Sequence, residues 1–333
     1  MDRTIYGHAV SRLKVLETRL LDKTKINRMI DSSSADEALK VLNETEYAHY
    51  VSNLKRAEDY EVILSEELDR AYKLMYDVTP NKAIIDVISL KYDYHNIKVL
   101  LKGNALKKEL DYLLVSVGTV PTELLKKSIS EEYYGELSPV MREAIEKTLL
   151  VFNADNDPQK IDIILDKYMY TEMLSKALSV EEEYIVDFVK IQIDITNIKT
   201  LLRVKKQNKD REFLDEVIIR GGKIDNDIFI NSLNDSIENF TNKISHTDYY
   251  NILKVSMDES GKKGSINIFE KYSDNFIMNY IKEAKYVSFG PQPILAYIFA
   301  KEAEIKAIRT VMVGKLNNIA PEIIRERLRD IYV

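Results

Sequence analysis

The stretch Asp93-Tyr94-His95-Asn96-Ile97-Lys98-Val99-Leu100-Leu101 occurs twice in this chain. It returns 101 positions later as Asp194-Ile195-Thr196-Asn197-Ile198-Lys199-Thr200-Leu201-Leu202. A looser third copy, Glu304-Ile305-Lys306-Ala307-Ile308, puts Glu304 107 positions beyond Asn197. The first two copies also match upstream without a gap, Ile84 on Ile185 and Asp86 on Asp187. Their apolar register is the same: Val87, Leu90, Tyr94, Ile97 and Leu101 are spaced 3, 4, 3, 4, as are Phe188, Ile191, Ile195, Ile198 and Leu202. That spacing draws one apolar stripe down an α-helix of about five turns. Identity, register and flanks agree, so each copy predicts one long organising helix.

Other features return in the same order. Leu110, Leu113, Leu114, Gly118, Val120, Leu124 and Leu125 share a pattern of helix, small residue, helix with Phe213, Val217, Ile218, Gly222, Ile224, Ile228 and Phe229. In the first third the corresponding helical stretch lies within residues 1–60, where Ser34 and Glu37 have capping-box spacing. A marker precedes each organising helix: Leu68-Asp69-Arg70, Leu165-Asp166-Lys167 and Phe269-Glu270-Lys271. Three helical repeats are therefore expected, 1–104, 105–207 and 208–333, forming one continuous assembly.

The start of each organising helix reads as a cap or a stop. Thr79-Pro80 predicts an N-cap with Pro at the first helical position, and Ser179 with Glu182 predicts a capping box. Gly290-Pro291-Gln292-Pro293 stops the chain before the third helix. Gly103 and Gly314 are expected as C′ residues, while the second helix, with no Gly from Arg203 to Asp210, is expected to fray. Pro321 to Val333 reads as a short helix with Ile324, Leu328 and Ile331 on one face.

Composition supports an almost wholly helical, globular protein. Only 10 Gly and 7 Pro interrupt 333 residues, of which 45% are hydrophobic and 31% charged. There is no cysteine, which removes disulfides and thiolate chemistry. The net charge of −6 argues against a general nucleic-acid footprint. The first residues lack the apolar core of a signal peptide, and the apolar run from Pro293 to Ala300 is too short to span a bilayer.

Motifs for chemistry are missing. Neither G-x-x-x-x-G-K-[ST] nor G-x-G-x-x-G occurs, and Gly221-Gly222 and Gly261-Lys262-Lys263-Gly264 read as turns. Glu46 and His49 have Glu-x-x-His spacing, but a carboxylate-bridged di-metal bundle needs two such pairs and two further Glu. No catalytic residue, cofactor site or metal site is expected. The recurring polar positions of the organising helices are instead expected to pack: Asp93, Asn96, Lys98, Asp194, Asn197, Lys199, Glu304 and Lys306. Because the third copy puts Lys301 and Glu304 where the others have Asp and Asn, a catalytic pair is excluded and a helix–helix contact remains. Asn96 and Asn197 should be buried and hydrogen-bonded to neighbouring helices.

Over its full length the chain resembles the central-stalk subunits of V-type and A-type rotary ATPases, called the C subunit in prokaryotes and the d subunit in eukaryotes. The resemblance is carried by Tyr6-Gly7-His8-Ala9-Val10-Ser11-Arg12-Leu13 with Leu20-Leu21, by Thr45-Glu46-Tyr47 and by the repeated Asn-Ile-Lys helices. Its most specific part is C-terminal: Ala296-Tyr297, Lys301-Glu302-Ala303-Glu304-Ile305, Ile308-Arg309, Gly314-Lys315, Pro321-Glu322 and Tyr332-Val333. His8-Ala9 stands where many members carry a second aromatic–small pair.

The resemblance implies a non-catalytic, all-α, pseudo-threefold funnel in a large hetero-oligomeric complex. Such a protein sits peripherally on the cytoplasmic side of the membrane, between the proteolipid ring and the central shaft, and couples ATP turnover to ion movement. It would have no cofactor and no membrane span of its own. The helix-start loops, with Thr79, Pro80 and Asn81, Ser179 and Val180, and Gly290 and Gln292, are the expected partner-facing positions. The competing reading is a soluble helical-repeat scaffold, which a period near 100 residues fits poorly.

Overall fold

The computed structural model describes residues 3–259 and 266–333; the turn expected at 261–264 lies outside them. Among the described residues 75% are helical and there is no strand. In order, the helices are α1 (Gly7–Glu17), α2 (Lys23–Asp31), α3 (Ala35–Val41), α4 (Ala48–Val51), α5 (Tyr60–Val78), α6 (Ala83–Leu106), α7 (Thr122–Ser130), α8 (Pro139–Asp155) and α9 (Pro158–Val180). There follow α10 (Glu183–Lys206), α11 (Arg211–Val217), α12 (Asn226–Asn231), α13 (Ile237–Lys243), α14 (Tyr249–Glu259), α15 (Ile266–Lys282), α16 (Gln292–Leu316) and α17 (Pro321–Arg327).

The helices gather into two compact units. One is contiguous, residues 83–270; the other joins residues 1–82 to 271–333. In the contiguous unit α9 lies along α6, α8 packs on α9, and α9 also packs on α10. In the other, α16 is the central helix, with α1, α2, α3, α5 and α17 against it. Its core runs through Ile26, Met29, Leu39, Leu42, Ile63, Leu64, Ile305, Ile308, Val311 and Ile324.

The three organising helices are α6, α10 and α16. Their predicted stripes are buried, but the buried surface is wider than one stripe. On α6, Ile84, Ile85, Val87, Ile88, Ser89 and Leu90 are all buried, as are Asp93 and Asn96. A helix surrounded on most sides needs no polar face, so the apolar period undercounts its contacts.

All three organising helices end alike. Lys107, Asn208 and Asn318 adopt left-handed φ of 52°, 53° and 54°. The next amide in each case closes a six-to-one bond: Lys108 to Gly103 O (3.0 Å), Lys209 to Val204 O (3.2 Å) and Ile319 to Gly314 O (2.8 Å). Each is a Schellman end, completed by bonds of 3.2 Å from the left-handed residue's own amide to Asn104 O, Lys205 O and Lys315 O. Gly103 and Gly314 are therefore not C′ residues; they sit inside the helix and accept the closing bond. The second helix does not fray, because Asn208 tolerates the left-handed conformation that Gly was expected to supply.

The helix starts also depart from expectation. Thr79 is the C-cap residue of α5, and α6 begins only at Ala83. Ser179 stays in the last turn of α9 and its hydroxyl donates to Lys176 O, so no capping box forms with Glu182. Ser34 does cap α3, accepting from the Glu37 amide, but Glu37 reaches back to Ser33 rather than to Ser34. At the C-terminus α17 stops at Arg327, short of the expected Val333. Tertiary bonds draw residues 328–333 out of helix: Asn275 Oδ1 accepts from the Asp330 amide, and Lys285 Nζ donates to Tyr332 O.

Candidate functional site

The polar residues of the organising helices form three clasps on backbone. On α6, the fully buried Asp93 accepts from the amides of Thr119 (2.9 Å) and Val120 (3.0 Å) and from the Thr119 hydroxyl. One turn on, Asn96 Nδ2 donates to Val115 O (2.7 Å) while its Oδ1 accepts from Val115 N (2.9 Å). An amide side chain can satisfy both backbone groups of one residue in this way. Thus α6 holds the loop leading to α7.

On α10 the same device holds the loop leading to α12. Asp194 accepts from the amides of Lys223 (2.9 Å) and Ile224 (3.1 Å), and from the Tyr249 hydroxyl. Asn197 exchanges both bonds with Ile219, at 2.7 and 2.9 Å. Both Asn side chains are buried, but their partners are loop backbone and not the neighbouring helices expected from sequence. Burial outweighs these bonds for the aspartates, so the carboxyls of Asp93 and Asp194 are both pushed above their usual range.

The glycines of the two loops have a steric role. A Cβ at Gly118 would collide with Asp93 Oδ1, and one at Gly222 with Asp194 Oδ1. The atom in the way belongs to a carboxylate already fixed by two amides, one on each oxygen. Gly222→Ala should therefore lower unfolding free energy by about 1–3 kcal/mol as an overpacked site. Denaturant unfolding would check this, and an unchanged midpoint would show that the clasp yields freely.

The third clasp, on α16, has different chemistry. Glu304 Oε2 accepts from the Leu21 amide (2.5 Å), and Oε1 accepts from the Tyr47 hydroxyl (2.8 Å) and from Lys301 Nζ (2.8 Å). Lys301 also meets Glu67 Oε1 at 2.7 Å and lies over the Tyr47 ring, 5.3 Å from its centre. Glu67 in turn receives both Nε and Nη2 of Arg70, at 2.7 and 2.8 Å. Arg70 reaches Glu46, which also pairs with Arg19. Glu304, Lys301, Glu67, Arg70, Glu46 and Arg19 thus alternate in sign along a neutral chain.

Lys301, Glu67 and Glu304 are within 2% of complete burial. Burial opposes the charge on Lys301, but Glu304 and Glu67 outweigh it and raise its pKa above the ordinary 10.5. Burial would likewise raise Glu67, yet Arg70 and Lys301 hold its carboxyl below 4.5. Sequence reasoning missed this network, since Glu67 lies one residue before a marker and its partner is on the far side of the chain. The only trace was the coincidence of two changed positions in the third copy.

The remaining expected residues are placed as follows. Lys98 pairs with Asp166 at 2.5 Å and Lys306 with Asp274 at 3.2 Å, while Lys199 is half-buried on α10. Among the helix-start positions, Thr79, Val180 and Gly290 are buried, Pro80 and Ser179 are exposed, and Asn81 and Gln292 are intermediate. Tyr286 and Phe289, just before α16, are the exposed aromatics of that start. His49 lies against Tyr50 with the two rings tilted at 41°, and its spacing partner Glu46 is taken up by Arg19 and Arg70. Among the described residues no three His, Cys, Asp or Glu converge on a possible metal position. No helix among them is long and apolar enough to cross a membrane.

A family model described as the ATP synthase (C/AC39) subunit matches residues 9–327. The chain is 29% identical to the C subunit of the V-type sodium ATPase of Enterococcus hirae, covering 95% of each chain. It is 30% identical to the C subunit of the A-type ATP synthase of Methanocaldococcus jannaschii, over 98% of this chain and 87% of that one. With the C subunit of the A-type ATP synthase of Methanosarcina acetivorans it shares 25% identity, over 97% and 92%.

Proposed function

The chain belongs to the ATP synthase (C/AC39) subunit family, the non-catalytic subunits of a multi-subunit rotary ATPase, and from that premise we propose that it is the central-stalk coupling piece. It would sit between the central shaft and the membrane proteolipid ring, on the cytoplasmic side, and pass torque in either direction. The whole-chain family match is the observation that carries this reading. The all-helical build supports it, since torque needs a body packed at interior density.

Three helical-bundle repeats, counted in sequence as 1–104, 105–207 and 208–333, would form a pseudo-threefold funnel. The shared clasps of α6 and α10 and the shared Schellman ends of α6, α10 and α16 support the repeat. Partner contact is assigned to the helix-start loops. Val180 faces the core, so single cysteines belong at Asn81, Ser179 and Phe289, on a background with no native Cys. In the complex purified from native membranes, at least two of the three should cross-link to the ring or the shaft. If none does, the loops are not the interface; if the chain does not copurify with a proteolipid, the coupling role itself fails.

A further inference from the structure

The third clasp is closed by the two ends of the chain, and that fixes where a packed repeat begins. After α6 and α10, the loop that is clasped comes next in sequence: Val115 to Val120, then Ile219 to Ile224. After α16 the clasped residue does not come next in sequence. The residue held by Glu304 is Leu21, 283 positions back, and it leads into α2 as Val115 and Ile219 lead into α7 and α12.

The marker helices shift in the same way. Lys98 of α6 pairs with Asp166 of the second marker, on α9. Arg203 of α10 pairs with Glu270 of the third marker, on α15. Lys301 and Arg309 of α16 pair with Glu67 and Glu61 on α5, the helix of the first marker. Each organising helix thus has an ion pair to a residue of the following third's marker helix, and the last returns to the first.

We propose that the chain is a circularly permuted three-repeat array. Its packed repeats are 83–182, 183–291, and a third made of 292–333 completed by 1–82. This rests on the repeat reading above but redraws its boundaries. Lys301 and Glu304 are the specificity element of the closure. In the first two repeats the N-cap residues Pro121 and Asp225 stand six positions after Val115 and Ile219, leaving room for the Gly-containing loop that offers two amides to an aspartate. In the third, the N-cap Asp22 follows Leu21 directly. That loop is missing between Leu21 and α2, among the described residues no pair of amides is bonded at that position of α16, and an aspartate there would be buried without donors. A lysine occupies it and turns toward Glu304 and Glu67. The same lysine would oppose the amide-bearing loops of the other repeats, so α16 accepts only the N-terminal segment.

Two experiments test this. In the first, Val333 is joined to Met1 by a Gly/Ser linker and the chain is opened between Lys82 and Ala83, making all three repeats and both compact units contiguous. The permutant should unfold cooperatively with an equilibrium constant within about tenfold of the parent's, a difference of about 1.4 kcal/mol or less. It should also refold faster, because the Glu304–Leu21 separation falls. A permutant with native helix content that is destabilised well beyond tenfold would overturn the proposed boundary. The second uses the full native chain and amide hydrogen exchange. Glu304→Ala should lower protection of the Leu21 amide about ten- to a hundredfold, with Val115 and Ile219 unaffected, and Asn96→Ala should lower Val115 alone. If Leu21 keeps its protection in the Glu304 variant, it is not the third clasped residue. Both measurements are made on the isolated chain, so they stand or fall separately from the cross-linking that tests the coupling role.

Discussion

Lys301→Met should lower the unfolding free energy by about 3–5 kcal/mol, the range for breaking a buried pair by removing one partner. The loss comes from what remains. Glu67 keeps Arg70, but Glu304 keeps only the Leu21 amide and the Tyr47 hydroxyl while fully buried. Adding Glu304→Gln to Lys301→Met should restore part of the loss, because the Gln oxygen still accepts from Leu21 without carrying a charge. The Arg28–Glu44 pair is a useful contrast. It is shorter, at 2.6 Å, but about half exposed, and Arg28→Met should leave the midpoint nearly unmoved. Urea unfolding at neutral pH measures all three. A Lys301 variant as stable as the parent would show that the charges are dispensable in the core.

The pH dependence has a definite sign. The folded-state pKa of Lys301 lies above 10.5, so the folded chain holds this proton more tightly than the unfolded one. Its contribution is fully present below pH 10.5 and is lost as pH rises through the folded value. Tyr47, pushed far above 10 by burial and by Glu304 and Glu67, acts in the same direction. The parent should therefore weaken steeply on the alkaline side, and Lys301→Met should weaken less. Glu67, held below 4.5, contributes above that pH and its contribution is lost as pH falls through the depressed value.

Ile198→Ala should cost about 2–5 kcal/mol, as a large aliphatic cut from a filled core. Ile198 is completely buried on α10. Asn197→Ala, its neighbour, strips the partners from Ile219 N–H and C=O, and an unsatisfied buried group costs about 1–3 kcal/mol. The aliphatic loss should therefore be at least as large as the polar one. On the coupling role proposed above, variants that remain folded should still support ATP-driven ion pumping in the reassembled motor, since neither residue is given a chemical role. Denaturant unfolding beside a pumping assay decides the matter. A fully stable Asn197→Ala chain that assembles but cannot pump would make this helix part of the coupling mechanism.

Much of this protein could be read from its residues in order. Scarce Gly and Pro, with apolar residues spaced by threes and fours, require helices, because nothing interrupts the backbone hydrogen-bond ladder and one face must leave water. The recurrence of Asp-x-x-Asn-Ile-Lys located two organising helices and its looser copy at Glu304-Ile305-Lys306 the third, and the family resemblance followed from motifs spread over the chain. Local chemistry was less secure at helix ends. Gly103 and Gly314 looked like stops, yet Lys107, Asn208 and Asn318 take the left-handed turn, because a Schellman bond and tertiary packing hold a residue where its own propensity would not.

What only the tertiary structure decided is which backbone each buried polar group answers. Asn96 and Asn197 looked like helix–helix contacts and instead clasp loops 19 and 22 residues ahead. The exchange of Asp for Lys301 and of Asn for Glu304 was visible in the sequence, but its reason was not. A buried charge is tolerable only if opposite charges and donors meet it at contact distance. For Lys301 and Glu304 these are Glu67, Tyr47 and Leu21, from the opposite end of the chain, where no sequence period can point.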